Sequence, residues 1–454
     1  VLDEEIRRLE VRAAAGDADA AAGLERARAR IGVPVCDVAH VGRTHRACSH
    51  LVARAVDHFR RSFTGRGIEQ HLLCAACAAA TPDLADVCPA CFARTEADLS
   101  CHGFRGEPEV LERASGLAFA HATIPLPELL PEAILEIRPV PRVAEPLWLA
   151  LDASLRIHAV DLLARRTVWS SPPLDLGGVD PRRLLRLHVS PRGEVAAIVN
   201  DRGQHGVVVD ARTGASLLRL DRGTYHPEVS SFPVAFFERE GRLLLAHGTD
   251  WNRLDVTDPR SGACVTARSP AAHERPDTRP EHYLDYFNGG LAVSPGDDWI
   301  VGNGWVWHPV GLVRSWSLAR WIAGNVWESE DGPSVRNLAH RAYFWDGPLT
   351  WVGARRIALY GYGDDDENLK PAALILDVET GKLERWFAGP CGPFTFDRYL
   401  FSASPEDGTS VWDVDTGERL CHEKGLTPHD HHTGAHHLLS RSDRELRLSW
   451  LVER

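Results

Sequence analysis

The chain has 454 residues, 44% hydrophobic and 25% charged, with a formal net charge of −12, ten Cys and no Met. These are ordinary globular values. They exclude a largely disordered chain and a collagen-like fibre, and no run approaches the roughly 18 apolar residues of a bilayer-spanning helix. The acid excess argues against whole-surface binding to nucleic acid or anionic membranes, and the length predicts two or three domains.

The first stretch, VLDEEIRRLEVRAAAG, is acidic and amphipathic with no apolar signal core, so a cytoplasmic protein is expected. Leu2, Ile6 and Leu9 fall at helical spacing, Gly16-Asp17 breaks the pattern, and Asp19 to Arg30 resumes it. Residues 1–34 are therefore expected to form a helical hairpin.

Residues 35–124 hold seven of the ten Cys. Cys74-Ala-Ala-Cys77 and Cys88-Pro-Ala-Cys91 are paired knuckles ten residues apart. Two residues between thiolates let a tight turn aim both sulfurs at one ion, and two such pairs make the tetrahedral site of structural zinc. Cys48-Ser-His50 offers a third pair, and Cys36 and Cys101 are single candidates. Either one ion sits on the two CxxC pairs, or there are two. In the second case Cys48, His50, Cys74 and Cys77 hold the first ion, and Cys88, Cys91, Cys36 and Cys101 the second. A Cys-x-His pair followed by Cys-x-x-Cys resembles treble-clef or ubiquitin-protease-type zinc fingers in those few residues. Such coordination leaves no open position for catalysis. Nearby, Arg43, Arg46, Arg54, Arg60, Arg61 and Arg66 face only Asp57 between Val41 and Gly67. They could meet phosphate or an acidic protein surface, or form a solvated helix face.

A Pro-rich stretch from Pro125 to Pro146 marks the junction, and every Trp and Tyr lies beyond Pro146. The later part repeats a strand ending in Asp, then Thr or Ser with Gly three and four residues on: Asp210, Asp258, Asp377 and Asp413 lead to Gly214, Gly262, Gly381 and Gly417. The pattern predicts a tight antiparallel turn, with Gly taking positive φ and Asp bonding the turn backbone. Asp161, Ser317 and Trp450 mark degenerate copies. Seven copies over residues 135–454 average about 46 residues, near the roughly 40–45 of four-stranded propeller blades. Trp321 to Tyr343 reads as an insertion with a helix at Ser334 to Tyr343. The strand AILEIRPV, residues 133–140, is expected to complete the last copy, which ends after its third strand. On VWDVDTGERL, with Trp412-Asp413, and SPRGEVAAIVND, the chain resembles WD40-like β-propellers, although no Gly-His dipeptide precedes the Trp-Asp. Strings such as GTDWNRLDVTDPRSG are similar to those of uncharacterised bacterial propeller proteins. The expected fold is thus mainly β: a seven-bladed propeller, residues 133–454, behind a small α-helical and zinc-binding N-terminal domain.

Within the propeller, His282-Tyr283, Asp285-Tyr286 and Asn288-Gly289-Gly290 concentrate polar and aromatic groups before a strand. Asp250-Trp251-Asn252 and Trp305, Trp307 and His308 form two further clusters. His282, Tyr283, Asp285, Asp250 and His308 are the candidate residues for a site at the axial mouth. Asp364 to Glu367 reads as a solvated loop, and the six His from His422 to His437 are too dispersed on a strand to share one ion. No phosphate loop, dinucleotide fingerprint, nucleophile elbow or HExxH motif is present. The leading expectation is a non-catalytic interaction scaffold, stabilised by one or two zinc ions, that binds a protein or peptide partner and no membrane. The alternatives are an enzyme or small-ligand binder at the axial mouth, and nucleic-acid binding through the Arg-rich zinc module.

Overall fold

The structure, a computed structural model, describes residues 45–53, 56, 58–63, 70–74, 76–77, 84–87, 91–92, 100–105, 109–130, 132–143, 145–269, 281–307, 309–363, 365–442 and 444–453. The expected helical hairpin, residues 1–34, lies outside them. The chain divides into two compact units, Val1–Leu111 and Glu112–Arg454. The boundary therefore falls before residue 124, and the segment after it belongs to the second unit.

The first unit contains β1 (His45–Cys48), α1 (Ser49–Val52), β2 (His58–Phe63), β3 (Gln70–Leu73), β4 (Leu84–Val87) and β5 (Ser100–Arg105). The strands form one mixed sheet in the order β4-β1-β3-β2-β5. β1 and β3 run parallel, with Arg46 opposite His71 and Ala47 opposite Leu72. Leu51, Phe59, Leu72, Leu73, Val87 and Phe92 pack a core that also encloses Cys48, Cys74, Cys77 and Cys91. Arg60 and Arg61 lie in β2, a strand, and not on a helix face.

The described residues of the second unit form seven antiparallel sheets. The first comprises Ile134–Pro139, Leu147–Asp152, Ile157–Asp161 and Arg166–Ser170, and the second Leu185–Val189, Val195–Asn200, His205–Asp210 and Ser216–Asp221. The third has three strands, Val234–Arg239, Arg242–Asp250 and Arg253–Thr257. The fourth is Phe287–Val293, Trp299–Val306, Val310–Ser317 and Arg336–Ala342. The fifth is Leu349–Trp351, Arg356–Tyr362, Lys370–Asp377 and Leu383–Ala388, and the sixth Phe394–Phe396, Leu400–Ser404, Gly408–Trp412 and Arg419–Glu423. Asp430–His432, His437–Arg441 and Glu445–Glu453 build the seventh, completed by β6, Leu117–Pro125. Apolar side chains are concentrated in the inner strands: every residue of Val195–Asn200 is buried, whereas Arg166–Ser170, an edge strand, is largely exposed.

Two expectations change here. The strand that completes the C-terminal sheet is β6, paired from Leu117 opposite Glu453 to Pro125 opposite Glu445. The segment at 133–140 instead pairs with Leu147–Asp152 and opens the first sheet. Both segments are apolar and strand-like, and only long-range pairing distinguishes them. Residues 336–342, expected as part of a helix, are the fourth strand of the fourth sheet. The insertion ahead of them carries α2 (Leu318–Ala323) and α3 (Glu328–Asp331), with the Ser317 hydroxyl capping Arg320 N–H; the turn Leu126–Leu129 after β6 is a short helix too.

Consecutive sheets pack face to face. Leu149, Leu151, Leu185 and Ile198 join the first and second, and Phe237, Leu254, Trp316 and Trp321 join the third and fourth. Ile137 and Trp148 of the first sheet pack on Leu439, Leu446 and Leu448 of the seventh, so the last sheet is buried against the first.

The Asp-Gly signature follows the third strand of its sheet, and at Asp210, Asp377 and Asp413 it leads into the fourth. Asp210 Oδ1 accepts the Thr213 N–H at 2.8 Å and Asp377 Oδ1 accepts that of Thr380 at 2.7 Å. The Gly N–H returns to the Asp carbonyl at 2.9 Å for Gly214 and 2.8 Å for Gly381. All four glycines have positive φ, from 71° to 78°. At the weaker copy, Asp161 Oδ1 accepts the Ala164 N–H at 2.9 Å and Arg165 takes the left-handed place at φ 52°.

Candidate metal centre and candidate ligand pocket

The parallel pairing of β1 and β3 brings the C-terminal ends of both strands together. Cys48 closes β1 and Cys74 follows β3, so the two sulfurs become neighbours although 26 residues separate them. Cys74 N–H donates to Cys48 Sγ at 3.2 Å. His50 enters from α1, and its Nδ1 lies 3.7 Å from Cys74 Sγ and 3.4 Å from Cys77 Sγ. The four ligand atoms of Cys48, His50, Cys74 and Cys77 all lie within 4.8 Å of one another. A tetrahedral ion with roughly 2.3 Å bonds to sulfur and 2.0–2.1 Å to nitrogen would set the S···N edges at about 3.5 Å, so the donor set fits such an ion. The three sulfurs are buried and the imidazole is exposed at the rim. Burial pushes the Cys48 thiol up to about 11, reinforced by Cys74 and Cys77. Cys74 is lowered: burial opposes ionisation, but hydrogen bonds from Cys77, Cys48 and Ala76 outweigh it.

Among the described residues the cluster joins the CxxC pair at 74–77 to the Cys-x-His pair, the first of the two groupings expected for two ions. Cys91 is buried in the same core but stands outside the four-atom group. Cys36 and Cys88 lie outside the described residues, as does the side chain of Cys101. Of the Arg set, Arg46 is exposed at the start of β1, while Arg43, Arg54 and Arg66 lie outside the described residues.

In the second unit, Asp250, His282 and Tyr283 do converge. They line a cavity of about 380 Å³ with Tyr225, Trp251, Asn252, Arg253, Leu284, Trp327 and Glu330. The wall is the third, outermost strand of the three-stranded sheet, the turn Asp250–Arg253 leading into it, and the insertion bearing α3. Among the described residues this sheet adds no fourth strand, and its edge meets the backbone at Ala263–Val265 and the side chains that follow. Arg268, almost fully buried, pairs with Asp255 at 2.8 Å and with Glu330, while Arg253 pairs with Asp255 at 2.9 Å. Arg314 anchors the insertion by donating to the carbonyls of Ser329, at 3.1 Å, and Glu330, at 2.6 Å. Burial raises Glu330 above the usual carboxyl range.

Aromatic rings frame the cavity. Tyr225 and Trp251 lie 5.1 Å apart and both pack on Phe287, at 5.9 and 4.6 Å. His282 stacks on Trp327 at 4.7 Å, in a left-handed backbone conformation, and its Nδ1 meets both Asp331 oxygens at 2.9 Å. Asp285 is half-buried but is not in the wall, and His308 lies outside the described residues. Trp305 is buried in its strand, whereas Trp307 lies past the strand end and is exposed. The runs Asp250-Trp251-Asn252 and His282-Tyr283 were visible in the sequence, whereas Tyr225, Trp327 and Glu330 carry no local signal there.

The clustered histidines divide among several partners: His429 bonds Glu136 at 2.8 Å, His422 meets Ser410 at 3.1 Å, and His436 and His431 both meet Asp397, at 2.8 and 3.4 Å. No protein-family model matches the chain, and no curated protein is detectably similar to it. No helix among the described residues is long and apolar enough to cross a membrane.

Proposed function

We propose that this protein is a non-catalytic interaction scaffold: a zinc-stabilised module joined to a WD40-like seven-bladed β-propeller that presents a rigid surface to a protein or peptide partner. The observation that carries the zinc reading is the convergence of three thiols and one imidazole within 4.8 Å. Three sulfurs and one nitrogen are a structural-zinc donor set, and four protein ligands leave no site for substrate. The propeller reading is supported by seven consecutive antiparallel sheets, the last completed by β6 and packed on the first. Closure of this kind protects sheet edges and holds a large surface stiff.

The test is elemental analysis of the intact chain with affinity capture from native lysate. At least one zinc per chain is expected, together with a partner recovered in near-equal amount. Less than one zinc per chain defeats the metal reading. Turnover of a small molecule without a stoichiometric partner defeats the scaffold.

A second reading, a small-ligand site, is favoured by the gathering of Asp250, His282 and Tyr283 around one cavity. Its volume falls within the roughly 300–1,000 Å³ of small-molecule sites.

A further inference from the structure

We propose that the cavity beside the third strand of the third sheet binds an organic ammonium cation, held by the Asp250 carboxylate and the ring faces of Tyr225 and Trp251. The inference rests on the ligand-site reading and names the class of ligand.

Ion pairing at the site leaves the Asp250 carboxylate without a cation among the described residues. Arg253 is committed to Asp255, Arg268 to Asp255 and Glu330, and Asp331 to His282. Asp250 is exposed, and its carboxylate accepts the Trp251 N–H at 2.8 Å. Among the described residues no Lys, Arg or His forms an ion pair with it. An anion entering the cavity would therefore meet uncompensated negative charge, and a neutral ligand would leave that charge unused.

The rings supply the other half of the site. Tyr225 is 46% exposed, yet it is stacked at 13° on Phe287, which also holds Trp251. Fixed aromatic faces beside a carboxylate attract a cation whose methyl groups weaken its hydration. The locality already uses this interaction, since the Arg268 guanidinium sits 4.7 Å from the centre of the Trp327 ring. That contact and His282 occupy Trp327, which leaves Tyr225 and Trp251 to receive the ligand.

The experiment is calorimetric titration of the full chain with choline, with a short trimethyl-lysine peptide, and with 3,3-dimethylbutanol, the uncharged shape analogue of choline. Choline is expected to bind about tenfold or more tightly than the alcohol. Its affinity should fall as salt is raised, while that of the alcohol should not. Asp250→Asn keeps an acceptor for the Trp251 N–H, so its melting temperature should hold while choline binding weakens by about tenfold. Tyr225→Ala should weaken it similarly. A peptide that binds more tightly than choline identifies a protein-borne cation; the reverse identifies a free one. Equal binding of choline and the alcohol, or undiminished binding by Asp250→Asn, overturns the cation assignment and leaves the ligand-site reading standing. Silence from all three probes and from a monosaccharide panel overturns both.

Discussion

At the residue scale, the clearest rule is the left-handed glycine between third and fourth strands. Gly381 and Gly417 share this conformation, but their surroundings differ. A Cβ at Gly381 would meet nothing closer than Arg336 Cβ at 3.6 Å, whereas one at Gly417 would lie 2.8 Å from Phe387 Cβ. Gly381→Ala should thus report backbone strain alone, about 1–2 kcal/mol. Gly417→Ala should cost more, and thermal melting of the two variants gives the order. Such turns were legible in the sequence because every bond that defines them lies within five residues.

His432 makes a prediction in pH. It is 1% exposed, and burial, with His437 and His431 nearby, pushes its imidazole down to about 4. The folded value lies below the unfolded value near 6.5, so the unfolded chain takes the proton first. The contribution is fully present above pH 6.5 and is lost as pH falls toward 4, amounting to about 3 kcal/mol. His432→Gln should flatten that part of a melting-temperature curve. Asp397 adds a loss at still lower pH: it is buried, but hydrogen bonds from His431, Arg398 N–H and His436 hold it well below the usual carboxylate range.

At the scale of elements, the metal cluster depends on two strand ends held in parallel register. The motif spacings exposed the ligand types, but both a one-ion and a two-ion arrangement of the knuckles satisfied them. Spacing says nothing about which strand lies beside which, and the β1–β3 pairing is what selects Cys48 and His50 as the partners of Cys74 and Cys77. His50→Ala should lower metal content and affinity sharply, while His50→Cys, which restores a fourth ligand, should recover most of the metal. Inductively coupled plasma analysis after dialysis distinguishes them. The pocket was half legible for a related reason. Asp250, His282 and Tyr283 stood out as polar clusters, but Trp327 and Glu330 reach the site only because an insertion in the fourth sheet folds over the short edge of the third.

At the scale of the whole molecule, the two units carry separate cores and separate reporters. All 14 Trp lie in the second unit. Chelation is expected to unfold the first unit, by circular dichroism, while leaving the Trp-fluorescence transition in place. A coincident loss of both would show that the units fold as one. Within the second unit, Ile124 of β6 is 2% exposed and packs among Leu439, Leu446 and Trp148. Ile124→Ala should cost about 2–5 kcal/mol. The loss should shift the entire Trp transition and not add a separate early phase.

The pairing of β6 with Glu445–Glu453 also sets a timetable. Some 320 residues separate Pro125 from Glu445. During synthesis β6 emerges early and has no mate until the final strand is complete. Until then, an apolar edge waits open at each end of the array, which is the hazard that unpaired strands carry. Arg113 pairs with Asp413 at 2.8 Å and Glu112 with Arg419, so the segment leading into β6 is tethered to the sixth sheet, beside the seventh. The last sheet thus works as a clasp, with one strand from near the start of the second unit and three from its end.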